Sequence, residues 1–347
     1  MPYSTATSKA PTVTVAVPTL AAGDPLAECL RSLEAQTFEG FEIVVIDNSG
    51  AALVQPSGER MRVISNARNL GFGSAVNQAA RSSSAPYLAT LNDDAIADPQ
   101  WLEQLVEAAE ANPRAGMFAS QVRLPASENP AAGPVLDSAG MLIAADGTGK
   151  QRGNQQPPGA FENARESLFP SGSAALYRRA MLDQIGLFDE SFFIYCEDVD
   201  LGLRARWAGW ECVYVPGAIA EHSYSQSAGR ASPLKAYYVE RNRLYTILKN
   251  FPLGMLLRAP FAAIARYLWH VISLDTGQGK TAEFRRAGHA FALLPFLVLR
   301  AHASALLRLP RLLGERRRIA KSRSIDARQF AQLLARHSIG LRQVATL

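Results

Sequence analysis

The stretch Tyr87-Leu-Ala-Thr-Leu-Asn-Asp93-Asp94 joins a short apolar run to two adjacent carboxylates. The apolar run predicts a buried strand, and the acidic pair stands where that strand ends. Neighbouring carboxylates repel each other, so the pair needs compensation from a hard divalent cation or from solvent. The stretch therefore predicts either a cation site at a strand end or a solvated turn before Asp98.

Similar apolar runs lie on the N-terminal side, at residues 13–17, 41–46 and 61–65, and helix signals separate them. Asp24 and Pro25 are predicted to cap and open one helix, a second helix lies near residues 74–81, and a third follows Asp98. This alternation predicts an α/β fold, a mostly parallel sheet flanked by helices. Ligands of such sheets bind at the carboxyl ends of the strands, so Asp47 and the Asp93-Asp94 pair are expected to converge on one crevice.

Residues 121–170 are rich in Pro, Gly, Asn and Gln and predict loops and short strands around the crevice. Two further candidates for the site lie on the C-terminal side of this segment. The acidic pair Glu197-Asp198 follows; one carboxylate of this segment is expected to face a cleft and another to pair with Arg204 or Arg206. The alternative is an acidic helix N-terminus favoured by the helix dipole. His222 comes after a strand and a turn, as a metal ligand or as a packing residue.

Charge divides the chain into two regions. Residues 1–250 hold 20 Lys/Arg and 27 Asp/Glu, whereas residues 251–347 hold 16 Lys/Arg and 4 Asp/Glu. We predict an α/β domain in residues 1–250 and a basic helical region in residues 251–347 that faces an anionic partner. The apolar stretches of the second region are broken by charges or by Pro295, so we expect them to lie on a membrane surface without crossing it.

The remaining sequence features bear on the compartment. The three cysteines fit neither a disulfide framework nor a metal knuckle, which indicates a reducing compartment. The first eleven residues are polar and contain no signal-peptide core. We therefore expect a cytoplasmic protein associated with the inner face of the cell membrane, with an anionic membrane surface as a partner, no nucleic acid, and a homo-oligomer as an open possibility.

An ordered set of motifs resembles family 2 glycosyltransferases over about residues 12–250. The likeness is greatest to bacterial rhamnosyltransferase-like members, with galactofuranosyltransferases nearby. The motifs are Val17-Pro18-Thr19, Val45-Ile-Asp-Asn-Ser49, Asn69-Leu-Gly-Phe-Gly73 with Asn77, the Asn92-Asp93-Asp94 turn, Ser171-Gly-Ser-Ala-Ala-Leu-Tyr177, Phe188 to Arg204, and Val215-Pro216 with His222. Asn92 stands where a fuller motif has Asp, which removes one charge.

The resemblance implies a GT-A type fold with a C-terminal helical extension, and it implies roles for individual residues. Asp198 would be the general base, with Glu197 as the alternative. Asp94 and His222 would be ligands of Mg²⁺ or Mn²⁺. The nucleotide of the donor would be bound by Pro18, Thr19, Asp47, Asn69, Gly71, Asn77 and Asp93. Arg241, in the segment Ala236 to Tyr245, would pair with phosphate as a planar fork or belong to an ordinary amphipathic helix.

The implied reaction moves a sugar from a nucleotide diphosphate-sugar to a saccharide or lipid-linked acceptor hydroxyl in cell-envelope polysaccharide synthesis. The hydroxyl loses a proton to a carboxylate as it attacks, and a divalent ion stabilises the leaving diphosphate. One in-line displacement inverts the anomeric centre. Rhamnose from a dTDP donor is the expected sugar; a galactofuranosyl or other hexosyl donor is the alternative.

Other classes of protein fit the sequence less well. A sugar nucleotidyltransferase would have a Gly-rich loop and a Lys after the first strand, where this chain has Pro18-Thr19-Leu20. A dehydrogenase would have Gly-x-Gly-x-x-Gly there, and Gly71-Phe-Gly73 is too short and too late. A non-catalytic, membrane-bound sugar-binding protein would not need Asp94, Asp198 and His222 together.

Overall fold

The computed structural model describes residues 10–125, 133–223, 232–275, 279–290 and 292–346. Its first half contains the predicted alternation of strands and helices. The strands are β1 (Val13–Thr19), β2 (Phe41–Asp47), β3 (Met61–Ser65) and β4 (Tyr87–Leu91), and the helices are α1 (Asp24–Glu34) and α2 (Phe72–Arg81). Gly23, not the predicted Asp24, is the residue that caps α1, and Pro25 lies in its first turn. The four strands are parallel and lie in the order β3-β2-β1-β4.

The sheet continues beyond β4 with strands of both directions. These are β5 (Ala95–Ala97), β6 (Ala115–Arg123), β7 (Leu136–Ser138), β10 (Ala174–Arg178) and β11 (Glu211–His222). From β4 the order is β10-β6-β11-β5, with β7 paired to β6. β10 is antiparallel to both of its neighbours, whereas β11 and β6 are parallel. The predicted fold class is confirmed, with the parallel part confined mainly to the first half of the sheet.

A smaller sheet and short elements occupy the segment expected to form loops. The small sheet consists of β8 (Met141–Ala144), β9 (Gly149–Gln151) and β12 (Ser338–Ile339). A 3₁₀ turn follows at Pro158–Phe161. Because β12 comes from the end of the chain and pairs with β8, the last residues are tied to the segment around the predicted crevice.

Helices dominate the rest of the described chain. They are α3 (Trp101–Ala111), α4 (Arg179–Ile185), α5 (Glu197–Trp207), α6 (Pro233–Asn250), α7 (Leu253–Asp275), α8 (Gly279–Arg286), α9 (Leu293–Leu307), α10 (Leu309–Ser322), α11 (Ala327–Arg336) and α12 (Leu341–Thr346).

The helices after residue 250 pack on the first part of the chain. Phe251 and Phe330 are completely buried and belong to the same core cluster as Trp207 of α5. The rings of Trp207 and Phe330 stack with their centroids 3.9 Å apart. The core therefore continues across the predicted boundary at residue 250, and a separate C-terminal domain stays a prediction.

Both faces of the sheet are covered, which explains the nearly continuous apolar strands. Val15 and Val17 of β1 contact the cluster that includes Leu33 of α1 and Trp101 of α3. Ala16, between them, belongs to the cluster on the other face with Val76 of α2. Helices on both faces leave the edge at the strand ends as the place where polar side chains can meet.

Candidate active site

A cavity of about 940 Å³ opens at the carboxyl ends of β1 and β4, beside the end of β11 and the start of α5. Eight of the eleven site residues predicted from the sequence line it. They are Pro18, Thr19, Asn69, Gly71, Asp93, Asp94, Asp198 and His222. The tertiary structure thus brings together residues as distant in the chain as Pro18 and His222.

The turn after β4 carries the acidic pair into the cavity. Thr19 Oγ1 lies 2.6 Å from Asp93 Oδ2, so the end of β1 is joined to the end of β4. Burial, followed by the charge of Asp94, raises the pKa of Asp93, although the Thr19 hydroxyl opposes that shift. Asp94 is held by its backbone, whose carbonyl accepts a hydrogen bond from Ser223 N at 3.0 Å. The turn is therefore part of a built site and is not a loosely solvated bend.

His222 lies between two carboxylates. Its Nε2 is 3.2 Å from Asp94 Oδ1, and its Nδ1 is 3.4 Å from Asp137 Oδ2. Burial disfavours the charged ring, but the hydrogen bonds and charges of Asp137 and Asp94 outweigh it and raise the pKa of His222 to about 9. The two carboxylates therefore fix the orientation of the ring, and Asn92 Nδ2 also lies 3.1 Å from its Nε2.

The donor set suits a hard cation only in part. Within the described ranges, no three His, Cys, Asp or Glu side chains converge as a complete metal site. Asp94 and His222 supply one carboxylate oxygen and one ring nitrogen. A small divalent cation typically takes one or two carboxylates together with substrate phosphates and water. The pair therefore fits a cation whose coordination the phosphates of a bound substrate would complete.

Two carboxylates at the start of α5 face the cavity differently. Asp198 is half-buried, and its Oδ2 accepts a hydrogen bond from Gly172 N at 3.1 Å. Glu197 is 7% exposed, and its Oε2 has no hydrogen-bond partner among the described residues. Burial raises the pKa of both groups, and burial together with the Asp198 charge raises that of Glu197 to about 8. Asp198 is thus the more accessible of the two carboxyl groups, and burial disfavours the charged form of Glu197.

Asp200 has a structural role in the same segment. It is fully buried, and its Oδ2 lies 2.9 Å from Arg204 Nε and 2.8 Å from Lys249 Nζ. Of the two partners predicted from the sequence, Arg204 forms the pair, whereas Arg206 pairs with Glu166 at 2.7 Å. The acidic segment therefore combines one ion-paired carboxylate with two that line the cavity.

The wall between Asn69 and α5 depends on a close backbone contact. Gly71 has φ +88°, and a Cβ at this position would lie 2.1 Å from the carbonyl oxygen of Phe193. Phe72 N donates to that same oxygen at 2.8 Å. Glycine is needed here both for its positive φ and for the close approach of the two backbone segments.

The other three predicted site residues lie outside the residues that line the cavity. Asp47 is fully buried, and its carboxylate accepts hydrogen bonds from Ser49 N and Val54 N at 2.9 and 3.0 Å. Its neighbour Asn48 lines the cavity instead. Asp47 therefore shapes the turn that presents Asn48.

The side chains of Asn77 and Arg241 also form hydrogen bonds with backbone groups. Asn77 exchanges two hydrogen bonds with the backbone of Phe188, at 2.9 and 3.0 Å. Arg241 is 7% exposed, and its Nη2 donates to the carbonyl oxygens of Ser191 and Phe192. The structure thus places these two residues as anchors of the segment before α5, rather than at a phosphate.

Sequence reasoning missed Asp137 and Asn48. Asp137 lies in the Pro- and Gly-rich segment, 85 positions from His222, with no motif around it. Asn48 is next to the predicted Asp47, and a strand-end turn of three polar residues does not indicate which side chain lines the cavity.

Comparisons with known proteins agree with this fold and identify the family. The family model described as "Glycosyl transferase family 2" matches residues 14–186, and "Glycosyl transferase family group 2" matches residues 158–304. An N-acetylglucosaminyl-diphospho-decaprenol L-rhamnosyltransferase of Mycobacterium tuberculosis is 33% identical over 249 residues, 63% of this chain and 79% of the relative. An O-antigen biosynthesis protein of Myxococcus xanthus, RfbC, is 28% identical over a match that covers 58% of this chain and 16% of the length of RfbC.

A solved structure resembles the fold at low sequence identity. The crystal structure of GalNAc-T7 with UDP, GalNAc and Mn²⁺ aligns with a TM-score of 0.52 and 14% identity, over 69% of this chain and 48% of that one. The mixed sheet, the cavity at its strand ends and these matches define a glycosyltransferase with a GT-A type fold. The chain belongs to glycosyltransferase family 2 and is rhamnosyltransferase-like.

Proposed function

We propose that this enzyme is an inverting, metal-dependent rhamnosyltransferase that takes rhamnose from a dTDP donor and adds it to a lipid-linked saccharide at the inner face of the cell membrane. The observation that carries the proposal is the single cavity that Asp198 shares with the Asp94–His222 pair. A base and a site for the leaving diphosphate are the two things that one in-line displacement requires.

We assign separate roles in the transfer to the base, to the group that orients the base and to the residues that bind the nucleotide. Asp198 accepts the proton of the acceptor hydroxyl as that oxygen forms its bond to the anomeric carbon and the bond to the diphosphate breaks. Gly172 N, which donates to Asp198 Oδ2, fixes the orientation of the carboxylate. Thr19, which contacts Asp93, lines the cavity together with Asn48 and Asn69, and these three residues would bind the nucleotide.

A divalent cation is expected on Asp94 and His222, where it would stabilise the negative charge of the leaving diphosphate as a Lewis acid. Asp137 supports this assignment because it contacts Nδ1 of His222. A hydrogen bond at one ring nitrogen directs the lone pair of the other towards a cation. Mn²⁺ suits this mixture of oxygen and nitrogen ligands better than Mg²⁺, which is the alternative ion.

The apolar part of the cavity lining supports a lipid-linked acceptor. It consists of side chains of α7, α8 and α9, namely Val271, Phe284, Leu294, Leu297, Val298 and Leu299. Val271 and Leu299 are also exposed, so this part of the lining forms an apolar opening at the surface. One cavity thus contains both the proposed base and an apolar opening, which suits an acceptor with a polar head and an apolar chain.

That opening belongs to a wider apolar surface on α7. Its exposed residues recur every three or four positions, which places them on one face of the helix. They are Leu253, Leu257, Phe261, Ile264, Leu268, Val271 and Ile272. Arg258 of the same helix is exposed, as are Arg285 of α8 and Arg308 after α9. No single helix in the described ranges is long and apolar enough to span a membrane, while α9 and α10, bent by 65°, pass that test only as a pair. An exposed apolar helix face in a region with exposed arginines suits docking on anionic lipid.

A transfer assay tests the proposal. The full chain is incubated with dTDP-rhamnose, UDP-galactofuranose or UDP-glucose and an N-acetylglucosaminyl diphospholipid, with Mg²⁺, with Mn²⁺ or with a chelator. We expect a rhamnosylated lipid only with a divalent ion and with an inverted anomeric centre in the product. Transfer from another donor would replace the sugar assignment, and full activity with chelator would contradict the metal assignment.

A further inference from the structure

The segment that leads into the catalytic helix has an unusual backbone. Phe193, Tyr195 and Cys196 have φ values of 64°, 69° and 64°, in the left-handed region, and none of them is glycine. Such conformations are disfavoured for L-residues, and they persist where surrounding contacts hold them. Cys196 is the N-cap of α5, so this backbone sets the position of Glu197 and Asp198 directly.

Asn242 of α6 holds this segment from behind. Its side-chain Nδ2 lies 2.9, 2.8 and 2.7 Å from the carbonyl oxygens of Phe192, Ile194 and Tyr195. Asn242 is completely buried, so these contacts are shielded from water. One amide group therefore binds the carbonyls on either side of Phe193 and the one just before the N-cap.

Arg241 fixes the orientation of that amide. Its Nε donates to Asn242 Oδ1 at 2.9 Å, which turns Nδ2 towards the segment. Its Nη2 donates to the carbonyl oxygens of Ser191 and Phe192 at 2.9 and 2.7 Å. The guanidinium also lies over the rings of Tyr238 and Tyr245, 4.5 and 5.0 Å from their centroids. A buried arginine is thus committed to one orientation, with its donors aimed at the backbone before α5.

We propose that Arg241 and Asn242 are positioning residues for the transfer step: they hold the left-handed segment 193–196 so that Asp198 points into the cavity. The inference rests on the proposed role of Asp198 as the base. Lys249 of α6 is a separate anchor, since it bridges Asp189 and Asp200 at 2.8 Å each and touches none of the carbonyls of the segment 191–195. The Arg241–Asn242 pair therefore acts on the segment itself, and Lys249 on its flanks.

Asn242→Asp tests the proposal in the full-length enzyme. The substitution keeps an oxygen for Arg241 Nε and replaces the donor to three carbonyls by an acceptor. We expect kcat to fall at least tenfold while the donor KM changes less than about threefold. Thr246→Val is the matched control, because Thr246 is buried one turn further along α6 and its hydroxyl has no hydrogen-bond partner among the described residues.

A double-mutant cycle separates positioning from a general loss of structure. In an Asp198→Asn background the base is absent, so Asn242→Asp should cause little further loss of kcat. An equal loss in both backgrounds, or a wild-type kcat in Asn242→Asp, would overturn the proposal. If Asn242→Asp does not fold, Arg241→Lys takes its place in the same measurements. This substitution keeps the positive charge but removes the planar guanidinium that donates to Asn242 and to the carbonyl oxygens. Near wild-type transfer by Asp198→Asn alone would instead refute the proposed base.

Discussion

Asp137 and His222 are in contact through Oδ2 and Nδ1, at 3.4 Å, although 85 positions separate them in the chain. The other ring nitrogen of His222 faces Asp94 at 3.2 Å. One residue of the proposed cation site is therefore oriented by a carboxylate that belongs to none of the sequence motifs. The pKa of about 9 means that a cation binding at Nε2 would displace a proton.

Asp137→Asn is expected to weaken metal-dependent donor binding without abolishing it. Loss of a residue that orients a metal ligand typically lowers metal affinity by about 10–100-fold. Calorimetry of nucleoside diphosphate binding at several Mn²⁺ concentrations measures the effect. Asp183→Asn, on an exposed position of α4, is the control and should bind as wild type. An unchanged Mn²⁺ dependence in Asp137→Asn would show that the contact with His222 has no such role.

Asp94→Ala and His222→Ala should each weaken the same binding more strongly than Asp137→Asn, because each removes a ligand itself. The same calorimetric titration, with nucleoside diphosphate and either Mn²⁺ or Mg²⁺, gives the comparison. His222→Ala should affect binding with Mn²⁺ more than binding with Mg²⁺, since an imidazole is accepted more readily by Mn²⁺. If both variants keep the wild-type metal dependence, the cation site lies elsewhere.

Asp198→Asn should reduce transfer to a small residual rate and leave donor binding nearly intact. The side chains are almost isosteric, but the amide cannot accept a proton, and loss of a general base costs about 10²–10⁴-fold in rate. Single-turnover transfer and donor calorimetry on the same preparation measure the two effects separately. Glu197→Gln is the paired variant and should keep most of the rate. The opposite ranking of the two variants would assign the base to Glu197.

The pH dependence of kcat gives an independent test of that assignment. Burial raises the pKa of Asp198, and a carboxyl with a raised pKa stays protonated, and inactive as a base, until the pH passes that value. We expect kcat to rise with pH, with a midpoint above the ordinary carboxyl pKa of about 4. The rise should persist in Glu197→Gln. A rise in kcat that disappears in Glu197→Gln, together with loss of transfer in that variant, would favour Glu197.

The apolar face of α7 is expected to bind anionic vesicles. Leu257, Phe261 and Leu268 are 65%, 74% and 59% exposed, so replacing all three by Gln should change stability little and lower vesicle binding strongly. Flotation with anionic and neutral liposomes across a salt series measures this. Leu53→Gln, at a 50% exposed position outside α7, is the control. Wild-type binding should fall as salt rises; binding that resists salt, or that the triple variant retains, would refute peripheral docking.

Substitution is a better test of membrane binding than truncation. Removing the chain beyond residue 250 would uncover Trp207, whose ring stacks on Phe330 and whose Nε1 donates to Asn250 O at 2.8 Å. A truncated chain would therefore lose part of its core together with the apolar face.

The sequence by itself determined the elements and their order. Residues 61–65 and 87–91 match their strands residue for residue. The second is a continuous apolar run that is buried on both faces of the sheet, whereas residues 61–65 form the partly exposed strand at its edge. Strand ends then place Thr19, Asp93 and Asp94 at one edge, and the order of motifs was enough to identify the family.

Only the tertiary structure decided which polar side chains enter the cavity and which bind backbone. Asp47 and Asn48 are adjacent and both buried, yet only Asn48 is among the residues that line the cavity. Arginine is a residue type that commonly binds phosphate, but Arg241 donates to a carbonyl group fifty positions earlier in the chain. The physical reason is that a buried donor must find an acceptor, and the acceptors available to it are set by packing between elements distant in sequence, which local pattern does not encode.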